Sequence, residues 1–341
     1  MGEISMIGLD LAKSVFQAHG VDASGTEVFK KKLRREQVLA FFAGIKPCVV
    51  AMEACSSAHF WAREIAEFGH DTKLIPAAYV KPFVKRQKND AADAEAICEA
   101  AGRPTMRFVA GKSEAQQAGS VVFRARSMLV RQRTQIINAL RGHLAEFGIV
   151  VAKGPAHVAR LLAIIEDDAK LPATLRPPLQ SMAATLRALE VEISKLDSEI
   201  AARAKSDGDA RRLMTIPGIG PIIATAILAI APPAVAFENG RHFAAWLGLA
   251  PRQHSTGGKE RLGRITKAGD KTLRCLLIVG ASAVLRHTAR NPPPAGSWLA
   301  RMLAGKPRML IATALANKMA RIVWALLRNG TTYQASGATP A

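Results

Sequence analysis

Cysteine is nearly absent: Cys48, Cys55, Cys98 and Cys275 are the only four, with no Cys-x-x-Cys pair and no histidine at zinc spacing. This excludes a disulfide framework or a thiolate zinc site and predicts reduced core thiols in a cytosolic setting. Aromatic residues make up 5% of the chain and only two are tyrosine. Membrane-length apolar runs are missing too. Ile222 to Phe237 is short and contains Pro232-Pro233, and the stretch from 309 to 327 is broken by Lys318 and Arg321. No secretory signal pattern opens the sequence and no ATP motif occurs in it, so membrane insertion and ATP-driven chemistry are not expected.

Acidic residues are the remaining shortage. Lys and Arg number 47 against 27 Asp and Glu, for a net charge of +20 and a pI near 10.4. Such an excess implies a polyanionic partner, although a plain solvated basic surface would carry the same count. The imbalance is uneven along the chain: residues 1–110 hold 15 basic and 13 acidic side chains, net +2, which leaves +18 beyond them. With 49% hydrophobic residues over 341 positions, the chain can bury real cores and is long enough for two or three domains.

The first hundred residues alternate strand-like and helical patterns. Ile4 to Leu9, Val15 to Val21 and Glu27 to Leu33 read as three consecutive strands, the last two joined by a turn at Asp22-Ala23-Ser24-Gly25. A helix over 36–44, a strand from Cys48, a helix from Ser57 to Phe68, a strand at Thr72 to Pro76 and a helix through Asp90 follow. Three antiparallel strands and then alternating helices and strands describe a ribonuclease H-like fold, α/β in class. Four carboxylates fall where a nuclease of that fold needs them. Asp10 ends the apolar run from Ile4 to Leu9, and Glu53 ends the run from Cys48 to Met52, so both emerge at tips of buried strands. Asp90 and Asp93 lie three apart in an Ala-rich helical stretch and share a face. Asp10 alone reads as readily as a turn aspartate; the full set argues against that. Clustered like charges persist best when cations neutralise them, and oxygen-only ligands favour Mg²⁺, with Mn²⁺ as a substitute.

Downstream the pattern is helical. From Ser113 to Phe147 the apolar positions Ala118, Val122, Ala125, Leu129, Ile136, Leu140, Leu144 and Phe147 form a stripe, with Arg124, Arg131, Arg133 and Arg141 displaced from it. Leu179, Met182, Leu186, Leu189, Ile193, Leu196 and Ile200 alternate by three and four, a coiled-coil seam of about three heptads. That seam could pair with the first helix or with another subunit. Ala152 to Pro178 reads as a Pro-punctuated connector with short helices.

Ile216-Pro217-Gly218-Ile219-Gly220-Pro221 precedes an apolar helix near Ile222. Gly218 and Gly220 before a helix N-terminus expose amides that suit a phosphate oxygen, as in helix-hairpin-helix modules; a plain tight turn has the same sequence. Beyond it, glycines at 257, 258, 263 and 269 interleave with bases that include Arg252, Lys259, Arg264, Lys267, Lys271 and Arg274. This reads as a mobile loop able to wrap a phosphodiester. Ser255 and His254 within it would, in isolation, be polar surface residues.

Taken together, Gly8-Leu9-Asp10, Met52-Glu53-Ala54, Lys88-Asn89-Asp90-Ala91-Ala92-Asp93, Ile216-Pro217-Gly218-Ile219-Gly220, Leu247-Gly248-Leu249-Ala250-Pro251, Ser255-Thr256-Gly257-Gly258 and Thr266-Lys267-Ala268-Gly269 resemble a transposase of the insertion-sequence family numbered 110. Leu129-Val130-Arg131-Gln132-Arg133 resembles its subgroup numbered 1111. The match runs in order along essentially the whole chain, departing locally in the threonine after Ser255. The resemblance implies a RuvC-like domain over 1–110, a helical coiled-coil region over 111–208, a mostly helical C-terminal domain over 209–330 and a tail over 331–341. It further implies that Asp10, Glu53, Asp90 and Asp93 hold Mg²⁺ and that Ser255 forms a phosphoserine link to a cleaved strand. The implied partners are element-end and target DNA, a structured noncoding guide RNA, and further copies of the chain as a dimer to tetramer. The implied setting is the bacterial cytoplasm, at the nucleoid. Two other classes share parts of the pattern. A junction-resolving endonuclease would use the four acids to activate water and leave Ser255 inessential, and a noncatalytic nucleic-acid-binding protein would not need the acids.

Overall fold

A computed structural model of the chain describes residues 3–85, 90–167 and 171–334. The chain divides into two compact units, Met1–Gln117 and Ala118–Ala341.

In the first unit the strands are β1 (Met6–Asp10), β2 (Val15–Val21), β3 (Glu27–Arg34), β4 (Val49–Glu53) and β5 (Asp71–Ile75). The helices are α1 (Val38–Ala43), α2 (Ala58–Ala66), the short α3 (Ala77–Val80) and α4 (Asp90–Ala101). The strands form one sheet in the order β3-β2-β1-β4-β5. β1, β2 and β3 pair antiparallel, while β4 runs parallel to β1 and β5 parallel to β4. Order and element types follow the sequence expectation; only α3, a single turn, departs from it. The β2–β3 turn forms because Asp22 Oδ1 accepts from the backbone N–H groups of Ser24 and Thr26, at 2.8 and 3.0 Å, and Gly25 adopts φ +84°.

The strand period of two divides the side chains between two cores. Ile7, Leu9, Val50 and Met52 pack with Phe42, Trp61, Ala62 and Ile65 of α1 and α2. Ala51 and Ile75 pack on the opposite face with Ala96, Ile97 and Ala100 of α4. Asp10 is in phase with Gly8 and Glu53 with Ala51, so both acids belong to the face that α4 covers.

The second unit holds most of α5 (Glu114–Glu146), with α6 (Val158–Asp167) and α7 (Arg176–Ser206). Arg126 on α5 pairs with Asp197 near the end of α7, while Leu140 and Leu144 share a core with Leu179, Ala183 and Leu186 at its beginning. The two helices therefore run antiparallel within one chain. Along α7, Leu179, Leu186, Ile193 and Ile200 are buried at seven-residue intervals, with Met182, Leu189 and Leu196 half-buried between them. The remaining elements are α8 (Gly208–Met214), α9 (Pro221–Ile230), α10 (Gly240–Trp246), the strands β6 (Pro251–Gln253) and β7 (Leu262–Ile265), α11 (Lys271–His287), α12 (Trp298–Gly305) and α13 (Arg308–Asn329). Asp207, Asn239, Asp270 and Ser297 cap α8, α10, α11 and α12 by accepting first-turn amides. Leu213, Ile227, Phe243, Leu277 and Val323 join Phe123 of α5 and Ile200 of α7 in the largest core. α13 is long and apolar enough to cross a membrane by length and composition. Its Ala312, Ala316, Met319, Ala320 and Val323 face is buried in the unit, however, while Lys318 and Arg321 are exposed.

Three sequence expectations need correction here. Only Cys48 and Cys98 are buried thiols; Cys55 is half-buried and Cys275 exposed, although all four are free. Phe147, placed on the packed stripe of α5, is 46% exposed, and the buried aromatic is Phe123. The segment expected to be a mobile loop contains the β6–β7 hairpin. Its strands are short and mostly exposed, so they leave no hydrophobic alternation to read.

Candidate functional site

Asp10 and Glu53 each follow one member of the paired Leu9 and Met52, so they stand side by side at the carboxyl ends of neighbouring parallel strands. Both are half-buried. Asp93 lies on α4 within electrostatic reach of Glu53: burial first, and then the Asp93 charge, push the Glu53 carboxyl above its ordinary range. Asp90 opens α4, with its side chain outside the described residues, as are Lys88 and Asn89. Among the described residues no three acidic, histidine or cysteine side chains close into a metal-sized cage. The structure therefore brings Glu53 and Asp93 together and sets Asp10 on the adjacent strand end. Two half-buried carboxylates that repel offer hard oxygen donors, which fit a divalent cation such as Mg²⁺.

Gly8 makes this arrangement possible. A Cβ there would lie 2.2 Å from the Ala94 carbonyl oxygen and 2.9 Å from Cys98 Cβ, so only glycine lets α4 rest directly on β1. Ala94 adjoins Asp93, and the close approach fixes the depth at which that acid sits. Glu95, the residue after Ala94, binds Lys30 of β3 at 3.5 Å and also Lys85. Sequence reasoning found Gly8 only as a motif letter and missed Lys30, Lys85 and Glu95; nothing in linear spacing announces an ion pair between a strand and a helix sixty-five residues on. Opposite Gly8 lies His19, buried, with its pKa lowered by burial and by Lys30.

Ser255 stands on the β6–β7 hairpin of the second unit, exposed, with its Oγ accepting from the Arg261 backbone N–H at 3.3 Å. The tip is a two-residue turn: Gly257 and Gly258 have φ +55° and +76°, and Thr256 pairs with Lys259 across it. His254 lies beside the serine with its backbone N–H donated to the Arg261 carbonyl. The hairpin base is fixed. Lys267 donates its N–H to the Gly248 carbonyl, and a Cβ at Gly248 would lie 2.1 Å from the Ala268 oxygen.

The expected phosphate contacts separate by exposure. Arg131, Arg252, Lys259, Arg264, Lys267 and Lys271 are exposed, as is Arg124, which donates to Ser120 Oγ at 2.7 Å. Arg133 is half-buried and lines a notch with Glu190 and Asp197, and Arg141 donates to the Gly154 carbonyl at 3.2 Å. Arg274 departs from expectation. It is buried in the first turn of α11 and donates to the carbonyls of Leu247 and Ala268, at 3.0 and 2.7 Å, stapling the segment behind the hairpin rather than facing phosphate. Gly218, φ +87°, packs against α11, where a Cβ would meet the Gly280 oxygen at 2.7 Å; the space around Gly220 is open.

Acids at neighbouring strand ends in one unit and an exposed serine hairpin among cations in the other suit cutting and rejoining of a polyanion. Comparison with known proteins gives the class. Residues 7–149 match the DEDD transposase family of IS110, and residues 210–293 match the family described as Transposase IS116/IS110/IS902. A probable family 20 transposase of Pseudomonas aeruginosa is 50% identical across 97% of this chain and 99% of its own. The transposase for insertion sequence element IS1111A of Coxiella burnetii is 38% identical across 98% and 92%. A pilin gene-inverting protein of Moraxella lacunata is 30% identical over 36% of this chain and 38% of its own. The protein is thus a transposase, an enzyme that recombines DNA. It belongs to the IS110 family of insertion-sequence transposases.

Proposed function

We propose that this transposase cuts and rejoins DNA through a covalent phosphoserine at Ser255, in cooperation with the acids of a ribonuclease H-like, RuvC-like first domain. The single observation that carries the reading is the approach of Asp93 on α4 to Glu53, which stands beside Asp10 at the neighbouring strand end. In the transfer step the Oγ–P bond to Ser255 forms as the P–O bond to the departing DNA oxygen breaks. The proton lost by the serine hydroxyl is balanced by the one that the freed DNA hydroxyl gains, and the ester retains the bond energy needed for rejoining. Asp10, Glu53, Asp90 and Asp93 would hold Mg²⁺, or Mn²⁺ in its place, which supplies charge stabilisation for the transferring phosphoryl group. Exposed Arg131, Arg252, Lys259, Arg264, Lys267 and Lys271 support binding of DNA and of a noncoding guide RNA, because cations serve both backbones alike.

The α5–α7 pair is read as the coiled-coil region over 111–208, and the turn at Gly218 and Gly220 as helix-hairpin-helix-like, within the C-terminal domain over 209–330 that precedes the tail. Assembly as a dimer to tetramer in the bacterial cytoplasm, at the nucleoid, completes the reading. The relative described as a pilin gene-inverting protein supports strand exchange over simple hydrolysis.

The test is denaturing electrophoresis of the protein with labelled DNA and RNA, followed by peptide mapping of any adduct. Ser255→Ala is expected to lose recombination and adduct while Thr256→Ala keeps both. Asp10→Asn should lose roughly three orders of magnitude in cleavage rate with nucleic-acid affinity nearly intact. Normal cleavage by Ser255→Ala, with no adduct in the parent, would assign the chemistry to water and make the protein a junction-resolving endonuclease.

A further inference from the structure

The second unit contains a groove of 1630 Å³ that the chemistry above does not use. Its volume exceeds the roughly 300–1,000 Å³ of small-ligand sites, so it suits a segment of a larger molecule. One wall is the β6–β7 hairpin, through Pro251, Leu262 and Ile265, and the other is α13. The lining is mostly apolar, and on α13 it includes Met309, Leu310, Ala314 and Ile322, with Met309 and Leu310 left 65% and 49% exposed. Cations rim it: Arg241, Arg264, Lys267, Lys318 and Arg321 line the groove, and among the described residues no aspartate or glutamate does.

Two details mark the groove as more than an uncovered face. Lys267 is the one non-glycine residue among those described with positive φ, at +57°. Such backbone is strained and persists only when its surroundings impose it. Here they do: Gly248 accepts the Lys267 N–H, and Arg274 grips the carbonyl of Ala268 from below. The fold therefore imposes strain on a lysine at the rim. The second detail is Trp298, an indole in the lining with Lys318 Nζ 5.1 Å from its ring centre, a pairing of flat ring and cation that also suits a nucleobase and its phosphate.

We propose that this groove takes an unpaired stretch of DNA, bases against the α13 wall and Trp298 and phosphates along the rim of Lys267, Arg264 and Arg321, leading a single strand toward the hairpin tip. An apolar trough with a cationic rim complements the base faces and phosphates of a single strand, whereas a duplex keeps its base faces stacked inside. The choice of DNA over RNA rests on reading the Ser255 hairpin as the element that cuts DNA; the groove itself does not depend on Ser255.

Fluorescence anisotropy of the full-length protein with a labelled oligodeoxythymidylate of about twelve residues, a length within reach of known single-strand sites, tests this directly. Leu310→Glu, at a half-exposed position, is expected to weaken binding about tenfold or more while melting like the parent. Lys267→Gly should bind several-fold more weakly and yet melt higher, because glycine relieves the positive φ. Ser255→Ala should bind as the parent does, so loss of the nucleophile and loss of the groove give different results. Crosslinking of the unaltered protein to an oligonucleotide carrying 5-iododeoxyuridine should mark peptides of α12 or α13. Unchanged affinity in a folded Leu310→Glu, crosslinks confined to other elements, or Leu310→Glu weakening the binding of oligouridylate more than that of the DNA would each overturn the proposal. Concentration-dependent self-association abolished by Leu310→Glu would give the groove to a second copy of the chain instead.

Discussion

At Glu53 a carboxylate closes a buried strand with Asp93 close by, and the two effects have the same sign: burial and the neighbouring charge both raise its pKa. A raised carboxyl pKa means that the folded state binds the proton more tightly than the unfolded one. The associated stability is present below the unfolded value and is lost as pH rises through the folded value. Without divalent cation, then, the first unit should weaken from acid toward neutral pH, and Glu53→Gln, which cannot ionise, should melt above the parent at neutral pH. Below the ordinary carboxylate range the two should melt together. Added Mg²⁺ should stabilise the parent and leave Glu53→Gln nearly unmoved, while cleavage by the variant is lost. Thermal melts across pH, with and without Mg²⁺, check this; a variant that melts below the parent at neutral pH would show that the ionised Glu53 carboxylate has a stabilising partner in the fold. The buried thiols behave differently: burial raises Cys48 and Cys98 to about 11, so they remain protonated and unreactive at neutral pH.

At the scale of elements, the acid positions were legible because strand ends announce themselves: an apolar run stops and a carboxylate follows. The buried stripe of α7 was legible for the same reason, its apolar positions recurring by three and four from Leu179 to Ile200. What stayed hidden depends on contact across the sequence. Gly8 reads as one more strand residue until α4 is seen resting on it, and Arg274 reads as a loop cation until helix phase turns it inward between Leu273 and Leu277. The β6–β7 hairpin was hidden because its strands, three and four residues long, bury almost nothing. The role of Gly8 can be measured. Gly8→Ala drives a methyl into the α4 backbone and should destabilise the protein by about 1–3 kcal/mol, as overpacking does. It should also reduce cleavage beyond what unfolding explains, since Asp93 moves with the helix. Gly142→Ala, near the carboxyl end of α5 with open space around its Cβ, should instead stabilise by about 0.5–1 kcal/mol and serve as the control. Denaturant midpoints of the two variants decide whether close approach or glycine itself matters at position 8.

For the whole molecule, the charge is divided unevenly, and the proposed polyanion contacts belong to its basic part. A nearly neutral first hundred residues carry the acids, and +18 falls beyond residue 110. On the proposed reading, that separation would let an acidic site that repels phosphate without a cation coexist with a surface that attracts it. Net charge alone does not say which cations meet the backbone, and the second unit contains both kinds. Arg131 is exposed on α5; Arg274 is buried and bonded to two carbonyls. Removing one cation that neutralises a phosphate should flatten the slope of log affinity against log salt by about 0.9 for duplex DNA. Arg131→Gln is therefore expected to reduce the slope by about one with an unchanged melting point. Arg133→Gln should reduce it less, because Glu190 and Asp197 share its notch. Arg274→Gln should leave the slope of the folded protein intact and lower the melting point sharply, since two carbonyls lose a charged donor. Filter binding over a salt series, paired with thermal melts, separates the two behaviours. A slope that falls with Arg274→Gln but not with Arg131→Gln would reverse the assignment and place the DNA against the base of the hairpin rather than along α5.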